Sequence, residues 1–336
     1  MAEQWLREWN LTVGGSGGSI TLSSSKDPNA LRMKFLVRQD TNQSPNTAII
    51  RVYNVSRSTA QKLLRVEEFS KVTLTAGYQQ NSGKIFGGNV KQVRYGRENP
   101  TDTYVDLFCG DGDHAYIGAV VNKTLAAGST MLDHVHLMAD AMKPFGIILG
   151  YVPTQLLSQI KEPRAVTFFG MARQYLRTIA HTIGSMWSIQ DGSLVIVEPG
   201  KALGGTRELN SNTGLIGMPE QTSNGITATM LIDPQVGVYS TIHLNQADVQ
   251  RAAYDLSNQG AVANSTLPDV TADGQYIIYA LERHGDSRGQ EWYQEMICIA
   301  VGQSIPAGSV LRNYPSTAGV AGGYEPSSQP YFPEEI

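Results

Sequence analysis

Residues 273–298 read DGQYIIYALERHGDSRGQEWYQEMIC, and this stretch decides the fold class. Its first part, 276–281, is rich in β-branched and aromatic residues, as is the returning part, 292–298. Both compositions are typical of strands. The polar connection at 284–289 contains two glycines, which supply the left-handed backbone that a tight reversal needs. The pattern therefore predicts a long β-hairpin.

Residues 83–109 repeat this pattern near the N-terminus. Cys109 stands near the end of one returning strand, TYVDLFCG, and Cys298 stands near the end of the other. Two strands are predicted before each hairpin, at residues 31–37 and 72–76 in the first unit and at residues 226–232 and 239–244 in the second. The shared order predicts an internal duplication. Because identity between the units is slight, chance agreement of two unrelated β units is the alternative.

A small α+β unit is predicted between the two β units. A capping-box pattern, Thr130 with Asp133, opens a helix that carries a stripe of apolar residues. A second helix is predicted over residues 172–183. The dipeptide Asp-Gly at 191–192 separates two apolar strands, which indicates a two-residue hairpin turn. We therefore assign residues 116–205 to an α+β insertion.

The flanking segments are predicted to be β-structure. Several strands and a short helix fall before residue 116, which favours a small antiparallel barrel or sandwich. Residues 212–219 are predicted to be a loop between strands. The boundaries are placed at 1–115 for the first β domain, 116–205 for the insertion, 206–312 for the second β domain, and 313–336 for an extended C-terminal tail without a core of its own.

Composition excludes several classes of protein. The net charge of −4 over 336 residues argues against general nucleic-acid binding, which needs a basic surface. Residues 1–115 are net positive and residues 116–336 net negative, which fits a ring with faces of opposite sign, or chance. Two cysteines are too few for a disulfide framework. The N-terminus has no signal-peptide core, and no apolar run approaches the roughly 20 residues of a membrane span, so we expect folding in the cytoplasm.

Two motifs resemble metal sites, and neither has the spacing that a metal requires. His134 and His136 point about 200° apart on a helix, so they cannot share an ion there. Residues 111–113, Asp-Gly-Asp, resemble the start of a calcium loop. The acidic ligand required further along is replaced by Asn122. We predict no metal site and no cofactor.

Two further motifs resemble catalytic sites. Ser16 lies in GGSGG, but no strand precedes it and no helix follows it, as a nucleophile elbow requires. His284, Asp286 and Ser287 lie within four residues of one turn, which lacks the long-range geometry of a triad. We predict no catalytic residues.

Several short blocks of sequence, in a fixed order, cover most of the chain. They are NTAIIRVYNV at 46–55, AGY at 76–78 with IFGG at 85–88, CGDGD at 109–113, TGLIGMP at 213–219 with LIDP at 231–234, and DGQY at 273–276 with HGDSRG at 284–289 and Trp292. Each block alone is weakly specific. Together they resemble phage baseplate hub proteins of contractile (myovirus-type) tails, which are related to the late control protein D group.

The resemblance implies a fold and a role. The fold is mainly β with an α+β insertion: two tube-like antiparallel β-barrel domains flank a small α+β domain. Such hubs are homotrimers whose doubled domains make a pseudo-sixfold ring. The implied partners are the tail tube or a tube-initiator protein and the tail spike, with the tape-measure and baseplate wedge proteins as further candidates. The implied location is the virion tail baseplate, assembled in the host bacterial cytoplasm.

The prediction is therefore a structural virion protein, a trimeric hub that adapts the sixfold tube to the threefold spike for host cell puncture, without catalysis. Another tail ring, such as a tube initiator or distal tail protein, is the alternative. A tail-borne cell-wall or glycan-degrading enzyme is a further one, but it needs paired carboxylates in a cleft, and the sequence indicates no such pair. His284, Asp286 and Arg288 are predicted as a subunit or partner contact.

Overall fold

A computed structural model describes residues 6–14, 18–24, 30–222, 225–245, 249–250 and 274–301. Ser16 and the predicted tail at 313–336 lie outside these ranges. Across the described ranges, no helix is both long and apolar enough to cross a bilayer.

Most of the described chain is β-structure. Within the described residues the strands are β1 (Arg7–Val13), β2 (Ile20–Ser23), β3 (Met33–Asp40), β4 (Thr47–Tyr53), β5 (Lys71–Tyr78), β6 (Asn81–Arg97), β7 (Thr103–Gly110), β8 (Val120–Leu125), β9 (Ile148–Leu149), β10 (Val166–Met171), β11 (Met186–Gln190), β12 (Ser193–Val197), β13 (Thr206–Leu209), β14 (Leu215–Thr222), β15 (Gly225–Leu231), β16 (Thr241–Leu244), β17 (Gln275–Asp286) and β18 (Trp292–Ala300). The helices are α1 (Arg57–Leu64), α2 (Asp113–Gly118), α3 (Met131–Met142), α4 (Thr154–Gln159) and α5 (Ala172–Thr182), with a 3₁₀ turn at Lys143–Phe145.

One large sheet runs through both β regions. Its strand order is β14-β15-β18-β17-β3-β4-β7-β6-β5-β1-β2, and β13 and β16 attach through β17. The mainly β, mostly antiparallel fold is confirmed. Two closed barrels are not confirmed, because β17 pairs with β3 and makes one continuous sheet. Among the described strands, the two ends of this path do not pair with each other.

The loop predicted at 212–219 was wrong, because most of it lies in β14. The register of β14 against β15 jumps between Ile216 and Glu220, so three residues of the glycine- and proline-containing block are held in a bulge. A bulge lets the edge strand β14 accommodate glycine and proline while the residues on either side of the bulge stay paired with β15. The hairpin connection is also shorter than predicted, since β17 continues to Asp286.

Three large hydrophobic cores lie within the described part of the chain. The first is built on β1 and β3–β7, and it also receives Trp292 from β18. The second lies inside the α+β region between α3, α5 and the β11–β12 hairpin. The third lies under β15–β18. The capping box is confirmed, because the Thr130 side chain accepts from the Asp133 N–H and the Asp133 carboxylate accepts from the Thr130 N–H.

Asp111 joins the α+β region to the large sheet. Its carboxylate, just after β7, accepts the N–H groups of Asp191 (2.5 Å) and Gly192 (2.9 Å), which form the tip of the β11–β12 hairpin. Both tip residues have positive φ, as the predicted Asp-Gly turn requires. Burial, together with the charge of Asp191, raises the pKa of Asp111 to about 7.

This raised pKa makes stability depend on pH. The protonated form of Asp111 is favoured in the folded state. Its contribution to the free energy of unfolding is therefore fully present below the unfolded-state pKa of about 3.9, and it is lost as pH rises through about 7. We expect the Asp111→Asn variant to gain stability relative to the wild type between about pH 5 and about pH 8. Urea unfolding at both pH values measures this. Asp140→Asn, at an exposed position of α3, is the control, and a constant wild-type-to-variant difference for Asp111→Asn contradicts the account.

Candidate assembly interface

The two long hairpins carry the same irregularity at the same place. In the first, Val90 pairs with Cys109, and the register then shifts by one residue. In the second, Ile278 pairs with Cys298, and the same shift follows. Both cysteines are free and buried, and burial raises the pKa of both thiols. The cysteines noticed in the sequence therefore stand at equivalent positions.

The strands around each hairpin follow one spatial order. It is β1-β5-β6-β7-β4-β3 in the first half and β13-β16-β17-β18-β15-β14 in the second. In each half, six strands taken in chain order thus occupy corresponding positions in the sheet. The sequence prediction sets the strand at 226–232 (β15) against the strand at 31–37 (β3). This equivalence is wrong, because β15 occupies the position of β4 in the strand order. The halves also differ in one pairing, since β13 runs parallel to β16 and β1 runs antiparallel to β5.

The two halves meet where the far part of β17 pairs with β3. The antiparallel register runs from Ala280 opposite Asp40 to Asp286 opposite Lys34. On the outer face, Arg38 donates to Glu282 from its Nε (2.8 Å). Burial opposes the charge of Glu282, but hydrogen bonds from His284 and Arg38 outweigh it and lower the pKa of Glu282 to about 2.

Arg283 lies on the inner face of this junction. Its guanidinium donates to the carbonyl oxygens of Ile85 (3.2 Å) and Val236 (2.6 Å), and to the side-chain oxygens of Gln39 and Gln294. Burial lowers its pKa to about 10. Because these acceptors come from both halves, Arg283 ties them together through polar contacts. Arg283 was not predicted from the sequence, although its position two residues after Leu281 places both side chains on one face of the strand.

Asp286 contributes to the junction inside the chain. Its side chain is 4% exposed, and its carboxylate accepts from Arg32 Nε (3.0 Å) and from the Arg288 N–H (3.0 Å). Lys34 Nζ lies 3.5 Å away. Burial opposes ionisation of Asp286, but the hydrogen bond from Arg32 leads the contacts that lower its pKa.

His284 and Arg288 lie closer to the surface. His284 is half-buried, stacks on Tyr293 with a centroid separation of 5.1 Å, and lies 3.2 Å from Glu282. Burial disfavours the charged imidazole, but the hydrogen bond to Glu282 and the nearby acids raise the pKa of His284. Arg288 is exposed, and its guanidinium donates to the Ala30 carbonyl (2.8 Å).

The three predicted contact residues are thus separated by environment. Of the three, only Arg288 is exposed, and it lies beside a cleft of about 530 Å³ that Arg7 and Ser287 also line. Arg7 donates to the Asp286 carbonyl (2.7 Å) and so ties β1 to the hairpin connection. Within the described ranges, no group of three or more His, Cys, Asp or Glu side chains is placed to hold a metal ion.

Comparison with known proteins places the chain in a family. The sequence profile of the family described as baseplate hub gp41 matches residues 18–247, which is more than half of the chain. The chain belongs to the baseplate hub gp41 family. Its place is therefore the phage tail, and the resemblance to baseplate hubs is confirmed. No curated protein sequence matches this hub protein at a significant level.

Solved structures share the fold of this hub protein. The tail protein from Neisseria meningitidis MC58 is 10% identical, with a TM-score of 0.51 over 86% of this chain and 96% of that one. The 43 kDa tail protein of prophage MuSo2 from Shewanella oneidensis is 11% identical, with a TM-score of 0.50 over 90% and 99%. An E. coli type VI secretion component, described as similar to the T4 tail proteins gp27 and gp5, is 7% identical, with a TM-score of 0.51 over 88% and 78%.

Proposed function

We propose that the protein is a homotrimeric baseplate hub that adapts the sixfold tail tube to the threefold tail spike of a contractile tail. The observation that carries this proposal is the doubling of the six-strand unit, with one order and one hairpin irregularity in both halves. Three copies of a chain that holds two such units supply six similar units. A threefold ring built this way matches a sixfold tube on one face and a threefold spike on the other.

In this proposal, residues 1–115 and 206–312 are the two ring-forming domains, and each contributes a tube-like wall to the assembled ring. Residues 116–205 form the inserted domain, and residues 313–336 form a tail that engages a partner. The bonds of Asp111 and Asn46 to the β11–β12 hairpin support a fixed placement of the insertion on the sheet.

The proposed partners are the tail tube or a tube-initiator protein on one face and the spike on the other. The tape-measure and wedge proteins are neighbours in the baseplate. The role is structural: the chain holds the spike during host cell puncture and catalyses no reaction. Support for this comes from the family and from the doubled unit.

The number of copies per virion tests this role. We expect quantitative mass spectrometry to give three copies of the chain in each tail. The major tail tube protein, with six copies in each ring of the tube, serves as the internal standard. Six copies would instead support the alternative of a tube-initiator or distal tail ring. Turnover of peptidoglycan or capsule by the purified chain would contradict a purely structural role.

A further inference from the structure

The sheet has a break where its two halves meet. Along one edge of β17, β3 pairs as far as Asp40, and β16 takes over from Thr241. At the same place the register of β17 against β18 shifts between Ile278 and Ala280. A bulge bends the strand that carries it, so this is the point at which the angle between the two six-strand units is set.

The β11–β12 hairpin of the insertion lies at this break and contacts both halves. Towards the first half, the Gln190 side-chain amide donates to the Asp40 carbonyl (2.6 Å). Towards the second half, the Ser188 hydroxyl lies 3.3 Å from the Tyr239 hydroxyl. Tyr239 is itself tied to β17, because its N–H donates to the Ile278 carbonyl (2.9 Å). The hairpin therefore spans the joint between the halves.

A continuous run of hydrogen bonds crosses the hairpin from one half to the other. Asn46 Nδ2 donates to Gln190 Oε1 (2.8 Å), and Gln190 Nε2 donates to Ser188 Oγ (3.1 Å), which contacts the Tyr239 hydroxyl. We call this run, Asn46–Gln190–Ser188–Tyr239, the polar bridge. Asn46, Ser188 and Tyr239 are buried. Hydrogen bonds are directional and apolar contacts are not, so the polar bridge specifies an angle that apolar packing alone does not.

Tyr239 has an unusual backbone conformation at this contact. Its φ is 66°, a left-handed value that residues other than glycine rarely adopt. Its ring shares an apolar cluster with Val195 and Val197 of β12, and Tyr279 of β17 shares another with Met186 of β11. A strained residue persists only where its surroundings hold it. The contact with the hairpin supplies such surroundings in the second half.

Closure of a ring depends on the angle between its units. In the proposed trimer, each chain contributes two units, and the ring closes only when the rotations from unit to unit return to the start. A wrong angle leaves an open chain of copies. The insertion stands at the joint inside each chain, so it is placed to set every angle that lies within a chain.

We propose that the β11–β12 hairpin is a spacer that fixes the angle between the two six-strand units through the polar bridge, and that this fixed angle allows three copies to close. This inference rests on the proposed trimer and assigns the insertion a task in it. A chain with a broken polar bridge keeps its fold but samples a range of angles. Rings then form only from the fraction of chains that hold the closing angle.

A distance measured across the joint tests the spacer. Spin labels on Arg57→Cys of α1 and Glu208→Cys of β13, both exposed positions, report the separation of the halves by pulsed electron paramagnetic resonance. Cys109 and Cys298 are buried, so they do not take the label. Excess unlabelled chain limits each trimer to one labelled copy. We expect one narrow distance distribution when the polar bridge is intact.

The test variant replaces three members of the polar bridge by apolar residues of similar shape: Ser188→Ala, Gln190→Leu and Tyr239→Phe. Because hydrogen-bond partners are removed together, we expect only a slight fall in the urea midpoint. The distance distribution should broaden, and the concentration for half-maximal trimer should rise about tenfold. The control pair Thr124→Ala, Thr167→Ala removes an exposed hydroxyl contact of the same insertion (2.9 Å) and should change neither quantity.

The outcomes separate this inference from the trimer itself. A variant that keeps the narrow distribution overturns the spacer, whether or not its assembly is weakened, and leaves the proposed function standing. If the triple variant does not fold, the Ser188→Ala, Tyr239→Phe pair takes its place, with a narrow distribution again overturning the spacer. If the chain with an intact polar bridge is monomeric at every concentration, the trimer and the ring-closing task both fall. Broadening in the variant monomer would then still support a fixed angle between the halves.

Discussion

Replacing Trp292 by alanine is expected to lower the free energy of unfolding by about 3–5 kcal/mol, the range for removing a large buried aromatic side chain. Trp292 belongs to β18 in the second half, but its ring is 1% exposed inside the core of the first half. It meets Phe35 edge-on, with ring centroids 5.4 Å apart. Its indole N–H has no acceptor in the described part of the chain, so the loss comes from packing rather than from a broken hydrogen bond.

Chemical denaturation of the purified chain measures this loss. Tyr293→Ala is the matched control, because Tyr293 is the next residue on β18 and lies partly exposed on the other face. We expect a smaller loss there. Trp292→Phe should fall between the two, since it keeps an aromatic ring in the cavity. Equal losses for Trp292→Ala and Tyr293→Ala would contradict the view that Trp292 locks the two halves together.

Replacing Asp286 by alanine is expected to cost about 3 kcal/mol, the low end of the range for breaking a buried ion pair by removing one partner. The carboxylate is buried between Arg32 and Lys34 of the first half. Its removal takes the counter-charge away from both cations and the acceptor away from the Arg288 N–H. The low end applies because Arg32 is itself 40% exposed.

Arg288→Ala is the matched control for this prediction. Arg288 is two residues away and exposed, so we expect its removal to change stability by no more than about 0.5 kcal/mol. Thermal or urea unfolding of both variants measures the contrast. Equally mild losses for Asp286→Ala and Arg288→Ala would contradict a stabilising role for Asp286 at the junction between the halves.

The elements that local chemistry specifies were predictable from the sequence. The Thr130–Asp133 capping box, the Asp-Gly turn at 191–192 and the two long hairpins each have a short-range signal, and the structure has all of them. Strand β14 escaped prediction, because its glycine and proline indicate a loop unless the bulge that accommodates them is known.

The junction between the halves could not be predicted in the same way. It pairs residues such as Arg38 and Glu282, which are far apart in the chain. No local pattern records which distant strand will complete an edge. For the same reason the sequence alone could not show that Arg32 and Lys34 lie beside the Asp286 carboxylate. The doubling was visible in the sequence, but the correspondence of β15 with β4 required the strand order.

The mass of the purified chain in solution tests the central claim most directly. Mass photometry over a range of concentrations, with and without the spike protein of the same phage, gives the number of copies per particle. The account predicts particles of three times the chain mass of 36.5 kDa, alone or with the spike bound. Single chains at every concentration, in the presence of the spike as well as in its absence, would contradict it.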